Sequence, residues 1–149
     1  MQTEVISFFS DIDGKTYYSD HAKRLNEQLV RLGIPHDFRQ KDSLGSYQKN
    51  CLSKPQFIYQ MLIQKQKPVV WLDIDSDVRK SLNVFDQFTG NTDIAVACSI
   101  NKLHAAKASP IYLDYNSKVL EFLQHWTFMA RQMANNGQWF DHEALIGIL

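Results

Sequence analysis

The chain predicts an α/β fold, a single domain built on a mainly parallel sheet flanked by helices. Short apolar runs alternate along it with stretches of helical periodicity, and the opening reads β-α-β-α-β. One apolar run, 68–72, ends directly in acidic residues, and in an open α/β sheet ligands bind beyond the carboxyl ends of the strands. Crossovers between parallel strands of this kind are expected to be right-handed.

The elements follow in order. Glu4 to Phe9 is rich in Val, Ile and Phe and reads as a strand, closed by the polar loop Ser10 to Lys15. Ala22, Leu25, Leu29 and Leu32 then recur at helical spacing, with Ser19 or Asp20 available as the cap and Gly33 as the stop. Pro35 to Arg39 is a weaker strand, followed by a polar loop, Gln40 to Ser46. A second helix is expected over Lys54 to Gln64, with Pro55 in its first turn and Phe57, Ile58, Met61 and Leu62 on one face. Pro68 to Leu72, Asp93 to Cys98 and Pro110 to Asp114 are further strands. The longest helix runs from Lys118 to Ala134 behind Ser117, and its stripe Val119, Phe122, Leu123, Trp126, Ala130 and Met133 reads as core. Asp141 is placed to cap a last short helix from His142.

Composition narrows the function classes. The 149 residues suffice for one core, and 44% apolar with 12% aromatic residues argues against disorder. Sixteen Lys and Arg balance sixteen Asp and Glu without a basic stripe, which argues against a nucleic-acid partner held through phosphates. Cys51 and Cys98 form neither a CxxC nor a Cys/His pattern, so a reducing cytoplasm is expected. No apolar run approaches a membrane span, and no basic segment precedes an apolar one at the start.

The chemistry concentrates in Val69-Val70-Trp71-Leu72-Asp73-Ile74-Asp75-Ser76-Asp77. Residues two apart on an extended strand share a face, so Asp73 and Asp75 are expected to crowd one side of a strand end, with Asp77 either a third ligand, a helix cap or a solvated residue. Carboxylates that close raise one another's pKa, and a divalent cation relieves the repulsion. Hard oxygen ligands suit Mg²⁺ or Mn²⁺. Helix capping or simple solvation is the competing reading of such a motif.

A second Asp-Ile-Asp lies at Asp11-Ile12-Asp13-Gly14. It resembles the first motif of haloacid dehalogenase-type phosphatases, which would make Asp11 a nucleophile and Asp13 an acid/base. Lys15 intervenes before Thr16, and no later acidic pattern completes that site.

A longer resemblance centres on the other copy. Lys15 to Leu25 with the Gly33-Ile34 turn, Gly45 to Ile58, Val69 to Asp75, Asp93 to Ala97, Pro110 to Asn116 with Lys118 to Trp126, and Asp141-His142-Glu143-Ala144-Leu145 resemble, in that order, nucleotide-diphospho-sugar transferases of the GT-A type with a DxD motif. The resemblance implies a Rossmann-like fold and a hexosyltransferase-like enzyme that moves a sugar from a nucleotide-diphosphate donor to a glycan or other acceptor. Asp75 would ligate Mn²⁺ or Mg²⁺, and Asp73 would touch the metal or the ribose. Ser10 and the loop to Asp13, with Tyr17 or Tyr18, would lie near base and ribose. Lys54 would neutralise the diphosphate or the acidic cluster. Asp141 would face the sugar as base or positioning group, or simply cap a helix, and His142 would be the residue to check as a further ligand. Assembly of bacterial surface polysaccharide or glycoconjugates is the implied setting.

The chain is short for that superfamily, whose members continue past the Asp-His element. A non-catalytic nucleotide-sugar-binding protein of the same fold is therefore the alternative, with the phosphatase third. The apolar end Ile146-Gly147-Ile148-Leu149 suits burial or an interface, which leaves a homo-oligomer open.

Overall fold

The computed structural model describes residues 3–98, 106–137 and 145. In chain order the elements are β1 (Glu4–Phe9), α1 (Tyr17–Arg31), β2 (His36–Gln40), α2 (Tyr47–Leu52), α3 (Lys54–Lys65), β3 (Val69–Trp71), a 3-10 helix (Asn83–Phe88), β4 (Ile94–Val96), β5 (Ile111–Leu113) and α4 (Ser117–Asn135). The strands form one sheet in the order β2-β1-β3-β5-β4. β1 runs parallel to β2 and β3, whereas β5 runs antiparallel to β3 and β4. The sheet is therefore mixed, parallel in its core, with β5 reversed.

Period-two alternation on the strands builds two cores. Ile6, Phe8, Val69, Trp71, Ile111 and Leu113 face one side, where Phe57, Ile58, Met61 and Leu62 of α3 and Val119, Leu123, Trp126 and Ala130 of α4 cover them. Val5, Val70 and Tyr112 face the other, where Ala22, Leu25 and Leu29 of α1 pack. The register repeats the division, since Val5 sits opposite Val70, and Val70 opposite Tyr112. Trp126 and Tyr112 are fully buried, and each such ring contributes a large apolar area.

Helix α3 starts at Lys54 as expected, whereas the starts of α1 and α4 differ from the sequence expectation. α1 begins at Tyr17, ahead of Ser19 and Asp20, because the turn before it closes early. Lys15 N–H donates to the Ile12 carbonyl at 3.1 Å, with Asp13 and Gly14 at φ of 55° and 71°. Asp11 then takes the Ser19 backbone N–H at 3.0 Å and also the Ser19 hydroxyl, so Ser19 is a donor to a cap supplied from the loop. At α4 the cap is Asn116, not Ser117, with its side chain accepting from Val119 N–H at 3.0 Å. α2 was not anticipated. It is a six-residue helix capped by Ser46, whose hydroxyl accepts from Lys49 N–H at 3.3 Å.

Candidate functional site

A cavity of about 500 Å³ opens beyond the carboxyl ends of β1 and β3, within the size range of small-molecule clefts. Its floor is Phe8, Phe9 and Ser10 from the end of β1, with Trp71 from the end of β3. Tyr18 of α1, the α2 residues Tyr47, Asn50 and Cys51, and Lys54 of α3 supply walls. Asp73, Ile74 and Asp75 form another, with Ala106 to Ala108.

The acidic residues reach this cavity from a turn rather than from an extended strand. β3 stops at Trp71, and Ser76 N–H donates back to the Asp73 carbonyl at 2.9 Å. Ile74, buried to 6% exposure, anchors the turn in the α1-side core, leaving the carboxylates on either side of it to line the cavity. Asp77 does not join them. Gln28 Nε2 donates to its Oδ1 at 2.5 Å and Arg79 Nε to its Oδ2 at 2.7 Å, and it does not line the cavity. Those bonds, Arg79 first, hold its carboxyl below the ordinary range. α1 secures the turn further, with Gln28 Oε1 accepting from Val78 N–H at 2.9 Å and Arg24 donating to the Asp75 and Ser76 carbonyls at 3.3 and 3.2 Å.

Asp73 and Asp75 have different surroundings. The Asp73 backbone N–H donates to the Ser109 hydroxyl at 2.9 Å. Its Oδ1 accepts from Trp71 Nε1–H at 2.8 Å and stands 3.0 Å from Lys54 Nζ. Lys54 is only 4% exposed, and its ammonium also donates to the Ala108 carbonyl at 3.3 Å and lies 5.4 Å from the centre of the Trp71 ring. Asp75 is exposed, and among the described residues its carboxylate accepts no hydrogen bond. The sequence thus presents one carboxylate already paired and one open to solvent.

The aromatic wall is a pair. Tyr18 and Tyr47 lie almost parallel, at 11° with centroids 6.4 Å apart, both lining the cavity. Burial, with Cys51, Tyr17 and Asp75 nearby, pushes the Tyr18 phenol up. Tyr47 shares a hydrogen bond with Cys51, which raises its pKa strongly. Tyr17 does not line the cavity; it is 55% exposed and packs edge-on against Tyr18 and His21. Asn50 is a brace, since its Oδ1 accepts from Leu44 N–H at 2.8 Å and its Nδ2 donates to Ser43 Oγ at 3.2 Å.

Asp11 and Asp13 are not brought to this cavity. Asp11 is occupied by Ser19, whose hydroxyl and N–H hold its carboxyl below the ordinary range, and Asp13 is an exposed turn residue. Asp141, His142 and the apolar end Ile146 to Leu149 lie outside the described residues. Ser10, Tyr18, Lys54, Asp73 and Asp75 do meet around one space. Tyr47 and Cys51 are not singled out by the sequence: Ser46 can cap a helix, but no Glu or Gln follows it three residues on and no apolar stripe marks 47–52.

Among the described residues no group of three or more His, Cys, Asp and Glu could hold a metal ion by itself. Among them, Asp73 and Asp75 line the cavity, and their carboxylates are hard oxygen donors of the kind divalent cations accept. No helix among the described residues is long and apolar enough to cross a membrane.

No family profile and no curated protein sequence matches this chain. Solved structures do. A glycosyltransferase involved in the glycosylation of the major capsid of PBCV-1 aligns with a TM-score of 0.69 at 14% identity, over 96% of this chain and 73% of its own. At that identity the likeness is one of fold: this chain folds as that glycosyltransferase does.

Proposed function

We propose that this protein is a metal-dependent glycosyltransferase that moves a sugar from a nucleotide-diphosphate donor to a glycan or other acceptor. The observation that carries the reading is that Asp73, Asp75 and the Tyr18–Tyr47 pair line one cavity at the carboxyl ends of parallel strands. The fold shared with a capsid glycosyltransferase supports it. Near-parallel rings suit a nucleobase, which stacks without demanding a particular hydrogen-bond pattern. The acidic turn suits Mn²⁺ or Mg²⁺ shared with a diphosphate, and the cation supplies Lewis-acid stabilisation of the departing nucleoside diphosphate.

In this assignment Asp75 and Asp73 hold the cation, with Lys54 orienting Asp73. Ser10, at the end of β1, faces the ribose. Phe8, Phe9 and Trp71 shield the reacting centre from water, which would otherwise compete with the acceptor. Asp141 is assigned as the sugar-facing carboxylate on the resemblance of its segment.

Thermal stability with UDP-, GDP- and CMP-sugars, with and without Mn²⁺, tests the reading, because a ligand that binds the folded state raises Tm. A diphosphate donor should raise Tm only with Mn²⁺, and Asp75→Ala should abolish the shift. CMP-sugars lack the diphosphate and serve as the contrast. No shift with any donor would reject the proposal.

A further inference from the structure

Lys54 is buried against Asp73, one of the two carboxylates assigned above to the cation. A buried ammonium needs compensation, and here it is fixed from three sides by Asp73 Oδ1 at 3.0 Å, the Ala108 carbonyl at 3.3 Å and the face of Trp71. At 4% exposure the side chain is packed in place and has little freedom to swing away. The same Asp73 oxygen also accepts from Trp71 Nε1–H at 2.8 Å, so two donors converge on it.

From these contacts we infer that Lys54 prevents the acidic turn from holding a divalent cation tightly by itself, so that the cation is bound together with a diphosphate and not ahead of it. The inference rests on the donor-site reading above and adds to it the dependence of one ligand on the other. Of the two carboxylates lining the cavity, one already carries a positive charge against it, and the other is exposed where water and salt weaken its pull. Among the described residues lining the cavity, two carboxylates are balanced by two ammoniums, Lys54 against Asp73 and the exposed Lys107, which leaves no net negative charge for a dication. A diphosphate brings the missing charge and the missing oxygens. The dependence is reciprocal, so the cation must tighten the diphosphate by the same factor. Lys54 is a positioning residue in this scheme, acting on the metal through Asp73.

Calorimetric titration of MnCl₂ into the protein, alone and with saturating UDP or GDP, reads this directly, with circular dichroism to verify the fold. In wild type, Mn²⁺ should bind about ten-fold or more weakly without a diphosphate than with one. Lys54→Met keeps an unbranched apolar stem and removes the charge. It should bind Mn²⁺ alone about ten-fold more tightly than wild type, narrowing the gap. Lys54→Gln serves if the methionine variant does not fold. The inference is overturned if the neutral variant binds Mn²⁺ alone no more tightly than wild type, or if a diphosphate leaves wild-type affinity for Mn²⁺ unchanged although it binds. Failure of both diphosphates to bind in any condition would reject the transferase reading, while the Mn²⁺-alone comparison still decides the role of Lys54.

Discussion

The two ends of the sheet carry the same residue types and use them in opposite ways. At the amino ends of the strands, Lys65 Nζ sits 2.7 Å from Glu4 and 2.8 Å from Asp37, Lys67 2.6 Å from the other Glu4 oxygen, and Arg39 3.0 Å from Asp37. Glu4 and Asp37 each have two cations, and the Lys65 and Glu4 side chains are each 13% exposed. At the carboxyl ends, Asp73 is paired with Lys54 while Asp75 is left open beside a cavity. A closed network fixes register and entry angles of chain segments; an incomplete one has capacity for a ligand. Acidic residues alone do not distinguish the two, but the balance of partners does.

Mutating each end should therefore break a different property. On the proposed transferase reading, Asp75→Ala is expected to lower glycosyl transfer by roughly a hundred-fold or more, as for removal of a principal electrostatic contact, with the apo Tm unchanged. Lys65→Met should do the reverse. It removes one cation from each of two poorly exposed carboxylates, which keep Lys67 and Arg39, and is expected to cost roughly 1–2 kcal/mol in urea unfolding, with Mn²⁺-dependent donor binding intact. If Lys65→Met abolished donor binding in folded protein, the ends would not be independent.

Acid should cost the closed end stability only as pH falls through its depressed carboxyl pKa values. Hydrogen bonding from Arg39, reinforced by Lys65 and opposed by burial, holds Asp37 at about 2. Burial pushes Glu4 up, but Lys65 and Lys67 outweigh it and bring the group below its ordinary value. A depressed folded pKa gives stability that is fully present above the unfolded values near 4 and is lost as pH falls through the folded ones. Wild type should thus lose roughly 2 kcal/mol between about pH 4.5 and pH 2 from this network. Asp37→Asn should flatten that arm of the pH–stability curve and leave donor binding at neutral pH unaltered.

The aromatic wall gives a smaller effect. Tyr47 is 56% exposed, so Tyr47→Ala should hardly change Tm. Losing one stacking surface should weaken nucleotide binding by about 1–2 kcal/mol, or roughly ten-fold, measured by titration. Tyr47→Phe should restore it, since the ring and not the hydroxyl is the stacking element.

How much of this was legible in the sequence depends on where the information resides. Strands β1, β2 and β3 and helices α1, α3 and α4 follow from apolar periodicity, which is local. The reversal of β5 is not, because Ile111-Tyr112-Leu113 would look the same in either direction; only its pairing with β3 fixes it. Asp73 and Asp75 were readable from an apolar run ending in acids. Their delivery by a turn was not, since it depends on Ile74 finding the α1-side core. Helix α2 was hidden by its composition, for Tyr47-Gln48-Lys49-Asn50-Cys51-Leu52 carries no apolar stripe, and with it went half of the aromatic pair. Ser19 has the residue type of a helix cap, but it donates to Asp11, which caps the helix from the loop, a contact set by tertiary placement.

Asp77 sharpens the comparison most finely, because it lies two residues from Asp75 yet belongs in character to the closed kind of acid. Both its oxygens are taken, Oδ1 by Gln28 and Oδ2 by Arg79. Gln28 would keep its bond from Val78 N–H after Asp77→Ala, so the turn that carries Asp75 retains its tie to α1. The variant should keep the Mn²⁺-dependent donor response of wild type, and Tm should move by no more than about 2 °C, as for an exposed ion pair. Loss of the response to the same degree as in Asp75→Ala would mean that the turn reorganises on binding and that three carboxylates, not two, act together. Retention would confine the site to Asp73 and Asp75 and leave Asp77 to hold the turn in place.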